Sequence, residues 1–191
     1  MNALVLAAES AAPHRFTLDE VFRMMDAGIL DPDARVELID GVLIEMPAEH
    51  APHVRLKTAL ARWFITHLPE TVNVVIDATL RLSDYDAPDP DLYLYAGSIA
   101  LDELKPADID LVIEVADSSL KKDLGAKAVL YAAHGVREYW VIEVETLATT
   151  VHRRPAAAGY GDVVRRGPDE ALSAMAHPSL SLALAQLPLP R

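Results

Sequence analysis

Apolar and polar positions along this chain repeat with two periods, one suited to helices and one to strands. Val21, Met24 and Met25 recur at helical spacing behind Thr17, with Glu20 three residues beyond that threonine. This predicts a helix with a capping box that stops at Gly28. Val36 and Leu38, then Val42, Ile44 and Met46, flank Asp40-Gly41, which predicts a tight hairpin ended by Pro47. From His50 to His67 the apolar positions Val54, Leu56, Leu60, Trp63 and Phe64 predict an amphipathic helix. Val72 to Leu82 reads as a strand, and Ala87-Pro88-Asp89-Pro90 as a turn before a short strand from Asp91 to Tyr95.

Ile109 to Val115 is a nearly continuous apolar run, the pattern of a strand buried on both faces. Residues 119–134 predict a second long helix, with Leu120, Leu124, Ala128 and Tyr131 on one face and Gly135 as its stop. Glu138 to Val144 and Thr149 to Arg154 read as strands. Gly159-Tyr160-Gly161 reads as a turn before Val163 to Arg166, and Pro178 to Leu187 as an apolar tail that packs back. The expected fold class is α/β (α+β), one central mixed sheet flanked by helices. It would form a single domain over residues 16–191, behind a flexible lead of residues 1–15.

Composition narrows the function classes. The 191 residues carry 29 acids and 17 bases, a formal charge of −12. Nothing in that balance draws the chain to an anionic polymer or membrane, so a nucleic-acid role needs a local basic patch or divalent cations. There is no cysteine, which removes disulfides, thiolate metal sites and cysteine nucleophiles together. The longest apolar runs, such as Ala3 to Ala8 and Leu111 to Ala116, are far short of a membrane span, and the first residues lack the pattern of a signal peptide. A cytoplasmic, soluble protein is expected.

Candidate chemistry begins with Glu114, set in Leu111-Val112-Ile113-Glu114-Val115. A carboxylate there is costly unless it is paired, hydrogen-bonded or bound to metal. An edge-strand Glu reaching solvent, or one partnered by a lysine, would also satisfy it. Asp91 stands at the head of the preceding strand, so the two acids could share a hard divalent cation. Asp123 and Lys127 are four apart on the next helix. They could form an ordinary surface pair, or Lys127 could orient a water or a phosphate.

These residues fall into an ordered set: Glu37-Leu38-Ile39-Asp40-Gly41, Pro90-Asp91, Leu111-Val112-Ile113-Glu114-Val115, Asp123 with Lys127 and Tyr131, and Gly135-Val136-Arg137-Glu138-Tyr139-Trp140. The set resembles the Uma-type putative restriction endonuclease family of the PD-(D/E)XK nuclease superfamily, from about residue 16 to residue 187. The resemblance implies a restriction-endonuclease-like core and phosphodiester hydrolysis dependent on Mg2+ or Mn2+, with nucleic acid, DNA foremost, as substrate. By position it assigns metal binding and catalysis to Asp91, Glu114 and Glu37. The superfamily lysine would fall at Ala116, so the resemblance hands its role to Lys127, with Lys121 and Lys122 as competitors. A homodimer would suit cutting of both strands. The alternative is a catalytically weak nuclease fold acting as a binding or regulatory module.

Other features carry less. Glu49, His50 and His53 have helical spacing, but no further His or Cys completes a zinc set; His53 starts a helix and could lie near the site, although a capping or surface role explains it more simply. Arg55, Lys57 and Arg62 are spread around their helix. Arg153-Arg154 and Arg165-Arg166 could line one edge as a phosphate patch, although a solvated face explains them more simply. Ser118 and Ser119 read as helix caps, and Trp63 and Trp140 as core.

Overall fold

The computed structural model describes residues 13–189, so most of the expected lead lies outside the described residues. Helix α1 (Leu18–Asp26) starts as anticipated. Thr17 and Glu20 form a reciprocal capping box, and Gly28 follows the end with φ +67°. Strands β1 (Val36–Ile39) and β2 (Val42–Glu45) form a hairpin of their own. Asp40 and Gly41, at φ 51° and 72°, supply the left-handed pair that a two-residue turn requires. An isolated bridge between Leu38 and Ala87 ties the hairpin to the rest of the chain.

Helix α2 (Ala51–His67) lies against a six-stranded sheet in the order β3-β4-β5-β6-β7-β8. Its strands are β3 (Val72–Ile76), β4 (Leu92–Ala96), β5 (Ile109–Ala116), β6 (Glu138–Glu143), β7 (Thr149–Ala156) and β8 (Gly159–Arg166). Every pair is antiparallel except β5-β6. That one parallel pair needs a crossover, supplied by α3 (Leu120–Lys122), a π-helical turn (Asp123–Lys127) and α4 (Ala128–Ala133).

Because side chains alternate across β5, its two faces build two cores. Leu111, Ile113 and Val115 pack with Leu56, Leu60, Phe64 and Trp140 on the α2 side, where Leu182, Leu184 and Leu187 of the tail also pack. Val112 and Ala116 pack with Ala128, Tyr131 and Tyr139 on the crossover side. Leu18, Val21, Leu38 and Ala87 form a third, smaller core around α1 and the hairpin. Among the described residues no helix is long and apolar enough to cross a membrane.

Three local expectations need correction. The strand from Val72 stops at Ile76, because Asp77 takes a left-handed conformation (φ 51°). Leu80 and Leu82 then make turn hydrogen bonds to Pro88 and Asp86 while burying their side chains in the crossover-side core. The turn of the last hairpin falls at residues 157–158, and Gly159 opens β8. The crossover is not one regular helix. Its π turn leaves Leu124 exposed and buries Asp123 and Lys127 instead.

Candidate active site

Asp91 is held by a mismatch in strand length. Strand β4 begins at Leu92, opposite Ile113, while β5 runs on to Ala116. The Val115 N–H therefore has no strand partner on that side, and it donates to Asp91 Oδ2 at 2.7 Å. Asp91 Oδ1 is left to meet His53 Nε2 at 2.8 Å.

Glu114 lies on the crossover face of β5. Its Oε1 accepts from Lys127 Nζ at 2.7 Å and from Tyr131 Oη at 3.0 Å. Burial, with the negative charges of Asp91 and Asp123 against the pull of Lys127, pushes the Glu114 carboxyl up to about 8. Glu37, fully buried on β1, lies on the far side of the same ammonium, with Lys127 Nζ 2.6 Å from its Oε1. Lys122 donates to the other oxygen of Glu37. Burial alone would raise the Glu37 carboxyl; the two lysines outweigh it and hold the group below its ordinary value. Burial disfavours the charge on Lys127, but its two carboxylates more than offset this and raise its pKa.

A second cluster adjoins the first. His53 sits in the first turn of α2, behind the cap residue His50, with its Nε2 3.7 Å from Glu49 Oε2. Ligand atoms of Glu49, His53 and Asp91 all lie within 4.8 Å of one another. Lys57, one turn further on and only 4% exposed, donates to Glu49 Oε2 and Asp77 Oδ1 at 2.6 Å each, 3.5 Å from Asp91 Oδ1. Burial lowers the His53 pKa, and the carboxylates of Asp91 and Glu49 more than reverse this to leave it raised.

All of these acids except Asp77, together with His53, Lys122 and Lys127, line one cleft. Asp89 and Asp123 line it too, each with one buried carboxylate oxygen that has no hydrogen-bond partner. Carboxylate oxygens and an imidazole nitrogen converge there, several already holding cationic groups, and such a donor set fits a divalent cation.

The four residues singled out in the sequence, Glu37, Asp91, Glu114 and Lys127, thus share one cleft. Asp123 and Lys127 are not a surface pair, since both are buried and Lys127 serves Glu37 and Glu114. Lys122 reaches the site on Glu37, and Lys121 is exposed. His53 is neither the cap nor a surface residue. Sequence reasoning weighed Glu49 only for zinc and set Lys57 aside as one of three cations spread around α2. Lys57 falls in register with Leu56, Leu60, Ala61 and Phe64, the buried face of α2, and that cation among core positions was the available signal. The arginine pairs do not form one free patch: Arg153 pairs with Glu138, Arg165 with Glu143 and Arg166 with Glu170, while Arg154 donates to the Gly161 backbone carbonyl.

Comparison with known proteins gives the chain a family and a fold. The family described as "Uma2: Putative restriction endonuclease" matches residues 18–185. The chain belongs to that family. A crystal structure described as a putative nuclease belonging to DUF820, from Anabaena variabilis, superposes with a TM-score of 0.71, covering 89% of this chain and 96% of the other. The two sequences are 16% identical, so the likeness is one of fold: the mixed six-stranded sheet with flanking helices is restriction-endonuclease-like. Among the curated proteins nothing matches. The matched residues take in the hairpin, the head of β4, β5 and the crossover, the elements that wall the cleft.

Proposed function

We propose that this Uma2 protein is a divalent-metal-dependent nuclease that hydrolyses phosphodiester bonds of nucleic acid, DNA foremost. The observation that carries the reading is the meeting of Glu37, Asp91 and Glu114 with Lys127 in one cleft, although residue 116, where the superfamily lysine would stand, is Ala. A pure binding scaffold has no use for three carboxylates and an ammonium drawn from separate elements at the expense of core packing.

Asp91 and Glu114 are the carboxylates that would hold Mg2+ or Mn2+. A bound divalent ion supplies Lewis acidity toward a phosphoryl oxygen and lowers the pKa of a coordinated water. Lys127 takes the role of the missing lysine: its ammonium, fixed between Glu37 and Glu114, positions the attacking water or the scissile phosphate. Tyr131 holds the shared Glu114 oxygen in place. Lys122 is half exposed at the cleft and offers a second cation to a neighbouring phosphate. Glu37 uses both oxygens on lysines, so it orients those cations.

The test is cleavage of supercoiled plasmid and of single-stranded DNA in Mn2+, with Glu114→Gln and Asp91→Asn beside the wild type. Both variants are expected to lose at least about 100-fold in rate with an unchanged circular dichroism spectrum. Undiminished cleavage by Glu114→Gln overturns the reading.

A further inference from the structure

We propose that His53 and Glu49 join Asp91 as ligands to the divalent ion, and that the imidazole makes this centre selective for a transition-metal ion such as Mn2+ over Mg2+. The proposal rests on the nuclease reading above: His53 and Glu49 join Asp91 and Glu114 there, whereas Glu37, the third acid the sequence offered for the metal, stays outside the ligand set.

The geometry separates the two sets. Glu37 is closed to a cation, because one oxygen takes Lys127 and the other Lys122. Asp91 is different: Oδ2 is pinned by the Val115 N–H, which fixes the carboxylate and leaves Oδ1 beside His53. Two ligand atoms at about 2.1 Å from one metal, at right angles, stand about 3.0 Å apart, and at a tetrahedral angle about 3.4 Å apart. The observed separations are 2.8 Å from Asp91 Oδ1 to His53 Nε2 and 3.7 Å from His53 Nε2 to Glu49 Oε2. Both separations lie within a few tenths of an ångström of those values, and the three ligand atoms lie within 4.8 Å of one another.

The three ligands are also held from behind. Glu49 is fixed through its other oxygen by Arg35 at 2.5 Å, and His53 is placed by the first turn of α2. Lys57 now shares Glu49 and Asp91, but it has Asp77 Oδ1 at 2.6 Å on the opposite side and keeps that partner when an ion takes the centre. The unpartnered oxygens of Asp89 and buried Asp123 line the same cleft and can accept hydrogen bonds from metal-bound waters. Mg2+ prefers an all-oxygen octahedron and keeps its waters, whereas imidazole nitrogen favours first-row transition metals.

The test needs no substrate. Electron spin echo modulation of Mn2+ added to the full chain should show nitrogen-14 coupling from one imidazole. Calorimetry should give Mn2+ binding at least about tenfold tighter than Mg2+. His53→Gln should lose the nitrogen coupling and weaken Mn2+ at least about tenfold, while Glu37→Gln binds Mn2+ within about twofold of wild type. Mn2+ bound without nitrogen coupling, or bound equally by wild type and His53→Gln but lost in Glu114→Gln, overturns this ligand set and leaves the nuclease reading standing. Cleavage that persists in EDTA with no Mn2+ binding overturns both.

Discussion

Glu138 shows how one carboxylate can organise a core. It is fully buried at the start of β6, and its Oε1 accepts from Trp140 Nε1 at 2.9 Å and from Arg153 Nη2 at 2.7 Å. Its Oε2 accepts from the Met175 backbone N–H at 2.6 Å, stitching the C-terminal segment to the sheet. Removing one partner of such a network strands the others without solvent. Glu138→Ala should therefore cost about 3–5 kcal/mol, read from urea unfolding, with Arg153→Ala costing less because Arg153 is partly exposed. The same logic explains which site residues the sequence revealed. Glu114 and Asp91 are conspicuous because each interrupts an apolar strand or stands at its head. Glu37 is less so: alternation around Asp40-Gly41 assigns it to the outward face of the hairpin, yet Glu37 and Leu38 are both buried, because the crossover lysines close over that face. Glu49 and Lys57 are hidden because their partners lie on α2, at the end of β3 and at the head of β4, and no local period encodes such meetings.

At the scale of elements, periodicity was reliable wherever one face meets one core. The capping box, the hairpin, α2, β5, β6 and β7 all lie where pattern reasoning puts them. It failed at the crossover. A regular helix would turn Leu124 inward; the π turn shifts the register so that Lys127 and Asp123 face the cleft instead. Such single-turn π segments often occur at functional sites, where they re-aim a side chain. Gly125 lies inside this turn with ordinary backbone angles, and a Cβ added there would meet nothing within 4 Å. Gly125→Ala should raise stability by about 0.5–1 kcal/mol in chemical denaturation, since alanine loses less backbone entropy on folding. Deleting Leu124, by contrast, restores a regular helix and turns Lys127 by about 100° away from Glu37 and Glu114. Nuclease activity should fall with that deletion while helical circular dichroism is retained.

For the whole molecule, the charge of −12 acquires a location. Several acids ring the cleft, and three of the four arginines of β7 and β8 are spent on Glu138, Glu143 and Glu170 rather than on a polyanion. Binding of nucleic acid should accordingly depend on divalent cations. Stability should depend on pH through His152, buried between β6 and β8 and packed against Tyr139 and Tyr160. Burial holds its pKa below the ordinary value, and hydrogen bonding to the Tyr139 and Thr150 backbone opposes this only in part. The unfolded chain takes up that proton near pH 6.5 and the folded chain resists it. The contribution of His152 is thus complete above that pH and is lost as the pH falls below it. Urea midpoints measured from pH 7.5 to 5.5 should drop more steeply for the wild type than for His152→Gln.

The separate hairpin sheet and its small core of Leu18, Val21, Leu38 and Ala87 carry a further consequence. Glu37 belongs to this layer, whereas Asp91, Glu114 and Lys127 belong to the main sheet and its crossover. The layer should therefore open as a cooperative unit of its own, at a lower free energy than global unfolding. When it does, Lys122 and Lys127 lose their shared anchor while the six-stranded sheet stays closed. Amide exchange in β1 and β2 should then outpace that in β5 and β6, and on gentle heating catalytic competence should fade at a temperature where the sheet is still protected.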